Sequence, residues 1–213
     1  MIKKVACFFL FCLLGPGLGR AQTVNCLVAF VNGEALTLAD LQIAQEFGLY
    51  DRDIIKGGSG DLRLATLDAL IDQKVVLEVA RGPAAVGKDE LSQALGALRD
   101  RLGPAVFRNK LSHFGLAEDD LRPYLADRIR FAKAVSTRFR AVIPVSHGDV
   151  EKFYREIYDP EERAKGLEPE PLESVLPGLE TRVRDDLRAR KVAEWVRTIR
   201  AQAEVRVNRD CLK

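Results

Sequence analysis

The sequence predicts a mainly α-helical domain that is closed by a small antiparallel pairing of its N- and C-terminal strands. Apolar side chains recur at helical spacing through most of the interior of the chain. Strand-like segments occur only near the two ends, at residues 24–32 and 203–208. A cysteine lies beside each segment, Cys26 in the first and Cys211 just after the second. With 213 residues, 47% of them hydrophobic, the chain is long enough to bury a core of this kind.

The first structured segment is predicted to be a strand followed by a capped helix. Residues 24–32 are rich in β-branched and apolar side chains and stop at Asn32-Gly33, a common turn dipeptide. Thr37 follows, with Asp40 three residues later, which is a weak form of the capping box. We therefore expect a helix from Thr37 to about residue 47.

Four further helices are expected before residue 140. They cover residues 61–80, 89–102, 105–114 and 118–139, each with apolar side chains at three- and four-residue spacing. Gly82-Pro83 and Gly87 interrupt the chain after the first of these helices, and Gly115 ends the third. Pro123 lies early in the fourth, where a proline is better tolerated than in the middle of a helix.

The C-terminal third is predicted to contain two helices separated by a loop. The helices cover residues 146–158 and 179–202, and the loop covers residues 159–171. Ser146 is a suitable N-cap for the first helix. The loop is charged and contains three prolines, a composition that is typical of surface connections. Pro177 makes the start of the last helix uncertain.

The two terminal strands are predicted to pair with each other. Residues 203–208 alternate in polarity, so we expect a strand with Val205 and Val207 facing inward. A lone strand leaves its backbone groups unpaired, and pairing the two segments satisfies both. In an antiparallel pair the start of the first strand lies near the end of the second. This arrangement brings Cys26 close to Cys211.

Residues 1–21 are predicted to be a secretory signal peptide. Two lysines at the start precede a continuous apolar run over residues 5–14. Gly19 and Ala21 then place small side chains at positions −3 and −1 before Gln22. A membrane anchor is the alternative interpretation, but the run has about half the length that a bilayer requires. We expect export to the periplasm, no membrane span in the mature chain, and a mature chain that begins at Gln22.

Cleavage of this segment would change both the charge and the cysteine content. The loss of Lys3, Lys4 and Arg20 lowers Lys plus Arg from 33 to 30 against 31 acidic residues, a net charge of −1. Such a balance gives no general attraction for nucleic acid, which we do not expect as a partner. Cys26 and Cys211 remain, and an oxidising compartment favours a disulfide between them.

The sequence contains no pattern that predicts a catalytic, metal or cofactor site. The two histidines, His113 and His147, stand alone and lack the spacing of zinc ligands. Gly58-Ser59-Gly60 lacks the outer glycine spacing of a nucleophile elbow. Neither a phosphate-binding loop nor a dinucleotide fingerprint follows a predicted strand. We therefore expect a protein that is not an enzyme and has no cofactor.

Five short motifs follow one another along almost the whole mature chain. They are residues 27–37 (LVAFVNGEALT), 67–80 (LDALIDQKVVLEVA), 111–122 (LSHFGLAEDDLR), 145–154 (VSHGDVEKFY) and 191–207 (KVAEWVRTIRAQAEVRV). Taken in order, they resemble the strand-turn-helix opening, the following helices and the C-terminal helix and strand of the SurA-like periplasmic chaperones. The resemblance implies a helical domain whose N- and C-terminal segments close on each other.

One part of that family's usual architecture is missing from this sequence. A parvulin-type prolyl isomerase domain usually separates the fourth motif from the fifth, and residues 159–171 are far too short to hold one. The resemblance therefore implies a helical chaperone region at residues 22–158. Residues 172–213 would complete the same domain after the loop that replaces the isomerase.

The resemblance implies an exported chaperone that binds unfolded or extended segments of envelope and outer-membrane proteins without catalysis. An apolar groove between helices would hold these segments. Phe107, Phe114 and Tyr124 are the candidate lining residues, with ordinary core packing as the alternative for each. Two other functions stay open. One is an envelope scaffold that reuses the fold, and the other is a peptidyl-prolyl isomerase with an unrecognised site.

Overall fold

The structure is a computed structural model, and it describes residues 26–50, 61–80 and 85–212. The predicted signal peptide at residues 1–21 lies outside the described residues. In chain order the elements are β1 (Leu27–Val31), β2 (Glu34–Thr37), α1 (Leu38–Phe47), α2 (Leu62–Val79), α3 (Lys88–Leu102), α4 (Pro104–Phe114), α5 (Arg122–Arg138), α6 (His147–Phe153), α7 (Asp159–Ala164), α8 (Leu172–Arg200) and β3 (Val205–Val207). The described part of the chain is mainly α-helical, as predicted.

The strands form one antiparallel sheet in the order β2-β1-β3. Val31 pairs with Val205 and Ala29 with Val207, so the predicted pairing of the terminal strands is confirmed. β2 was not predicted as a strand. Asn32 and Gly33 both have positive φ angles, 46° and 95°, which match the tight hairpin turn that Asn-Gly favours. The residues just after the turn therefore pair back onto β1.

Val205 and Val207 of β3 share the inward face of the sheet, as predicted, but they are covered to different extents. Val205 packs against the core, whereas Val207 keeps 42% of its surface exposed. Both side chains lie opposite residues of β1 whose own side chains are buried, Ala29 and Val31. β3 is a three-residue strand at the edge of the sheet. Alternation gives the face of a side chain, but position within the sheet decides how much of it is covered.

The main core lies between the sheet, α1 to α5 and the C-terminal half of α8. Its largest fully buried side chains include Phe47, Phe107, Phe131, Leu41, Ile71 and Leu121. The start of α1 is the capping box predicted from Thr37 and Asp40. The Thr37 hydroxyl accepts a hydrogen bond from the Asp40 amide at 3.2 Å, and the Asp40 carboxylate accepts one from the Thr37 amide at 3.0 Å.

Residues 159–171 are not a loop over their whole length, which corrects the prediction. Asp159–Ala164 form α7, and α8 begins at Leu172 rather than near residue 179. Pro160 lies in the first turn of α7, directly after the π-helical turn Tyr154–Tyr158 that connects α7 to α6 without a break in the helix. Pro177 lies inside α8 near its start, and the nearby Leu176 and Leu179 pack into an apolar cluster. The connecting loop is therefore residues 165–171.

That cluster is separate from the main core. Val150 from α6 and Leu179 and Val183 from α8 are its buried residues. Aromatic side chains of α6 and of the π-helical turn Tyr154–Tyr158 pack around them. α8 thus belongs to both clusters, with its N-terminal half against α6 and its C-terminal half against α2. Within the described ranges, none of the helices has the length and apolar character needed to cross a membrane.

Candidate functional site

A cleft of about 1160 Å³ opens between α2, α5, α8 and the turn that joins β1 to β2. Its apolar lining is formed by Val31, Leu77, Val79, Ala80, Ala134 and Trp195. Val79 is the last residue of α2 and is 60% exposed, although it is apolar. The cleft therefore presents apolar side chains that remain accessible to solvent after folding.

Charged residues surround this apolar surface, and most of them pair with each other. Lys74 lies 2.8 Å from the Glu34 carboxylate and 3.3 Å from Asp127. Burial lowers the pKa of Lys74, but the hydrogen bonds and charges of these two carboxylates outweigh it and raise the pKa. Arg130 pairs with the other oxygen of Asp127 at 2.8 Å. Lys74 is therefore a cation at neutral pH, and this part of the rim is internally neutralised.

Asn32 holds the turn at the edge of the cleft. Its side-chain amide donates a hydrogen bond to Glu78 of α2, and its side-chain oxygen accepts one from the Glu204 amide at 2.6 Å. Its own amide donates to the Glu204 carbonyl at 2.9 Å. Asparagine is among the few residues that adopt positive φ readily. One side chain thus connects the hairpin turn, α2 and the approach to β3.

An aromatic and cationic pair borders the cleft where α5 ends. The guanidinium of Arg138 lies over the ring of Trp195, 5.1 Å from its centroid. Phe139 meets the same ring edge to face, at 5.7 Å between centroids. Among the residues that the structure describes, no carboxylate forms an ion pair with Arg138. Arg138 therefore differs from Lys74 and Arg130, each of which has a carboxylate partner.

The three aromatic residues predicted to line a groove do not line this cleft. Phe107 is fully buried and packs edge to face on Phe47, so it has no surface to offer a ligand. The hydroxyl of Tyr124 donates a hydrogen bond to Asp40 at 2.7 Å. Burial and this hydrogen bond raise the pKa of Tyr124. For both residues the structure gives the core-packing role that the sequence left as the alternative.

Phe114 is the one of the three that borders an opening. It is half-buried and lies against Phe47 and His113, with ring centroids 6.2 Å and 5.0 Å away. It lines a smaller and more open pocket of about 340 Å³ together with Val106 and Lys110. The structure therefore does not bring Phe107, Phe114 and Tyr124 together into a single groove.

Val79, Arg138 and Trp195 were not among the candidate site residues. The apolar spacing of α2 continues through Val79, but the buried part of that helix ends at Val76. A helical repeat that continues past the core leaves its last apolar side chain exposed. Trp195 is the single tryptophan of the chain. Tryptophan combines a large apolar surface with a polar N–H, which was a usable signal for a binding surface.

The predicted cysteine pair is brought together at the closure of the sheet. The Cα atoms of Cys26 and Cys211 are 5.9 Å apart, within the range of a disulfide, and the structure joins the two residues. Arg63 of α2 donates a hydrogen bond to the carbonyl of Leu212 at 2.9 Å, which fixes the chain just beyond Cys211.

The histidines show no arrangement of catalytic groups. His147 lies 3.3 Å from Glu151 one helical turn later, and both side chains are substantially exposed. His113 is exposed and contacts the ring of Phe114. Within the described ranges, no cluster of three or more His, Cys, Asp or Glu side chains has the arrangement of a metal site.

Comparison with known proteins does not extend this description. No protein-family model matches the chain, and no curated protein sequence matches it. The resemblance to the SurA-like chaperones therefore depends on the five short motifs. The functional assignment depends on these motifs together with the geometry of the cleft.

Proposed function

We propose that the protein is an exported chaperone that binds extended segments of unfolded envelope proteins and has no catalytic activity. The observation that carries this proposal is the cleft of about 1160 Å³ with accessible apolar side chains inside a charged rim. Its volume lies above the range of about 300–1000 Å³ that is typical of small-molecule pockets. An extended polypeptide segment is a ligand that a cleft of this volume with accessible apolar side chains can hold.

The energetics of the cleft favour weak and tolerant binding. Burial of apolar surface contributes about 25 cal/mol per Å² whatever the sequence that supplies it. Asp127 forms ion pairs with both Lys74 and Arg130. This part of the rim is therefore charged and hydrated, but it does not require a particular charge pattern in the ligand. An unfolded segment loses conformational entropy wherever it is held, so the affinity for each segment is modest. These are the properties of a protein that holds many different clients.

The connection between α6 and α8 supports the non-catalytic part of the proposal. In the SurA-like chaperones, which the sequence resembles, a parvulin domain usually lies at this point. Here the connection consists of the π-helical turn, α7 and the loop at residues 165–171. The resemblance therefore favours a chaperone module without the isomerase.

The proposal is tested by diluting a denatured outer-membrane protein into buffer and following its aggregation by light scattering. We expect the mature protein to suppress the scattering. Val79→Ser should weaken this activity several-fold, because it removes an exposed apolar side chain from the cleft without a change of charge. Val142→Ser is the matched control, since Val142 is 80% exposed and lies outside the cleft lining. Both variants should melt at the temperature of the parent.

Two results would contradict the proposal. If a several-fold molar excess of the protein does not suppress aggregation, the chaperone function is wrong and the envelope scaffold is favoured. If substoichiometric protein accelerates proline isomerisation in a test peptide, the absence of catalysis is wrong.

A further inference from the structure

We propose that the cleft prefers client segments in which a carboxylate lies beside a bulky apolar side chain. Arg138 would bind the carboxylate, and Trp195 with the apolar lining would contact the neighbouring side chain. This inference rests on the proposed function, because it assigns a ligand preference to the same cleft.

The charge balance of the cleft lining supports this preference. Lys74, Arg130 and Lys133 each lie 2.7–2.8 Å from a carboxylate of the protein itself. Arg138 lines the same cleft and lies over the Trp195 ring, and no carboxylate among the described residues forms an ion pair with it. A ligand that brings one carboxylate to this end of the cleft completes the pairing. A ligand with a cation at this position would be repelled by the unpaired positive charge of Arg138.

The geometry of the pair is suited to an anion. The Arg138 guanidinium carbon lies over the Trp195 ring, 5.1 Å from its centroid, and a guanidinium can donate to both oxygens of a carboxylate. Phe139 packs edge-on against the Trp195 ring, which restricts the movement of that ring.

The adjacent surface defines the rest of the ligand. Leu77, Val79 and Ala134 line the cleft together with Trp195, so the group next to the carboxylate meets an apolar surface. A polypeptide can supply this chemistry in two ways. One is an Asp or Glu side chain beside an apolar residue, and the other is the free C-terminal carboxylate of a chain with an apolar last residue.

The single tryptophan makes the experiment direct, because Trp195 emission reports occupancy of the cleft. The probes are peptides of about ten residues without tryptophan that share one apolar sequence. The first has a free C-terminus, the second is amidated, the third is amidated with one internal Glu, and the fourth is amidated with Gln in place of that Glu. We expect at least one carboxylate-bearing peptide to bind about tenfold more tightly than its neutral counterpart, as a charge-assisted hydrogen bond allows.

The peptide that shows the preference identifies the source of the carboxylate. Arg138→Gln should abolish the preference, so that each carboxylate-bearing peptide binds no more tightly than its neutral counterpart. Arg140→Gln is the matched control, since Arg140 is exposed and lies two residues further on, outside the cleft lining. Circular dichroism melting of both variants verifies that they fold like the parent.

Three results would overturn the inference. They are equal affinity of the parent for all four peptides, a preference that survives Arg138→Gln, and the absence of any change in Trp195 emission with every peptide. The light-scattering assay decides the chaperone function separately. Suppression of aggregation together with any of these results would contradict the carboxylate preference and leave the chaperone proposal in place.

Discussion

The buried carboxylate of Asp72 links α2 to α8. Asp72 of α2 is 4% exposed, and Arg200 at the end of α8 donates to it at 2.9 Å and to Asp68 at 2.7 Å. Burial raises the pKa of Asp72, and the charge and hydrogen bond of Arg200 only partly offset that effect. The ion pair therefore positions α8 against α2 at a cost in desolvation.

We expect Arg200→Met to destabilise the protein by about 3 kcal/mol at pH 7, because it leaves Asp72 buried without its cation. The loss of the cation raises the folded-state pKa of Asp72 further. A group with a raised folded pKa contributes most to stability below its unfolded value, here 3.8, and that contribution falls as the pH rises through the folded pKa. The destabilisation should therefore be smaller at pH 4 than at pH 7, as measured by urea denaturation.

Arg197→Met provides the control, since Arg197 is exposed in the preceding turn of the same helix. It should have little effect at either pH. A loss from Arg200→Met that is the same at both pH values would show that Asp72 does not titrate with the predicted shift.

The helices α1 and α6 begin with the same kind of capping box but pack against apolar clusters of different size. Ser146 and Asp149 cap α6 as Thr37 and Asp40 cap α1. The Ser146 side chain and amide both hydrogen bond to the Asp149 carboxylate, which lowers the pKa of Asp149. α1 contributes to the main core, whereas α6 packs only in the small cluster around Val150. Local stability should follow this difference, because a small cluster opens more readily than the whole domain.

Ser146→Ala should therefore loosen α6 without lowering the stability of the main core. The loss of an N-cap costs about 1 kcal/mol, so the amides of α6 should exchange about fivefold faster with solvent deuterium. Exchange in α2 and α5 should be unchanged. Ser136→Ala is the control, because Ser136 lies within α5, is exposed, and bonds only to the Lys133 carbonyl among the described residues. Unaltered exchange in α6 would contradict the local opening.

At the scale of the molecule, the two ends of the described chain close on each other. β1 lies at the centre of the sheet and pairs with β3 near the other end of the chain. Asn32 bonds to Glu204, and Arg63 bonds to the carbonyl of Leu212. Cys26 and Cys211 join at the same place across a sequence separation of 185 residues. The closure therefore combines backbone pairing, side-chain hydrogen bonds and a covalent link.

We expect protein purified from the exported fraction to contain no free thiol at Cys26 or Cys211, as measured by titration of the unfolded, non-reduced chain. Cys26→Ser/Cys211→Ser should lower the free energy of unfolding by about 2–5 kcal/mol, because a long loop loses its restraint in the unfolded state. Denaturant curves of parent and variant measure this difference. Two reactive thiols in the exported protein would contradict the disulfide.

Features that depend on local chemistry could be predicted from the sequence alone. α2 to α5 end within one or two residues of their predicted bounds at nearly every terminus, since apolar spacing, caps and glycines act within one or two turns. The pairing of β1 with β3 followed from the need of every strand for a partner. The proximity of Cys26 and Cys211 then followed from the direction of that pairing.

The end of each apolar surface and the contacts between distant residues depend on how the helices pack together. Periodicity placed Phe107 on an apolar face but did not show that this face is fully covered. It also did not show that α2 extends past its core and leaves Val79 exposed at the cleft. Arg138 and Trp195 are far apart in the chain and meet because α5 and α8 both border this cleft. A binding surface of this kind depends on incomplete burial, which is a property of how the helices are arranged and not of any one of them.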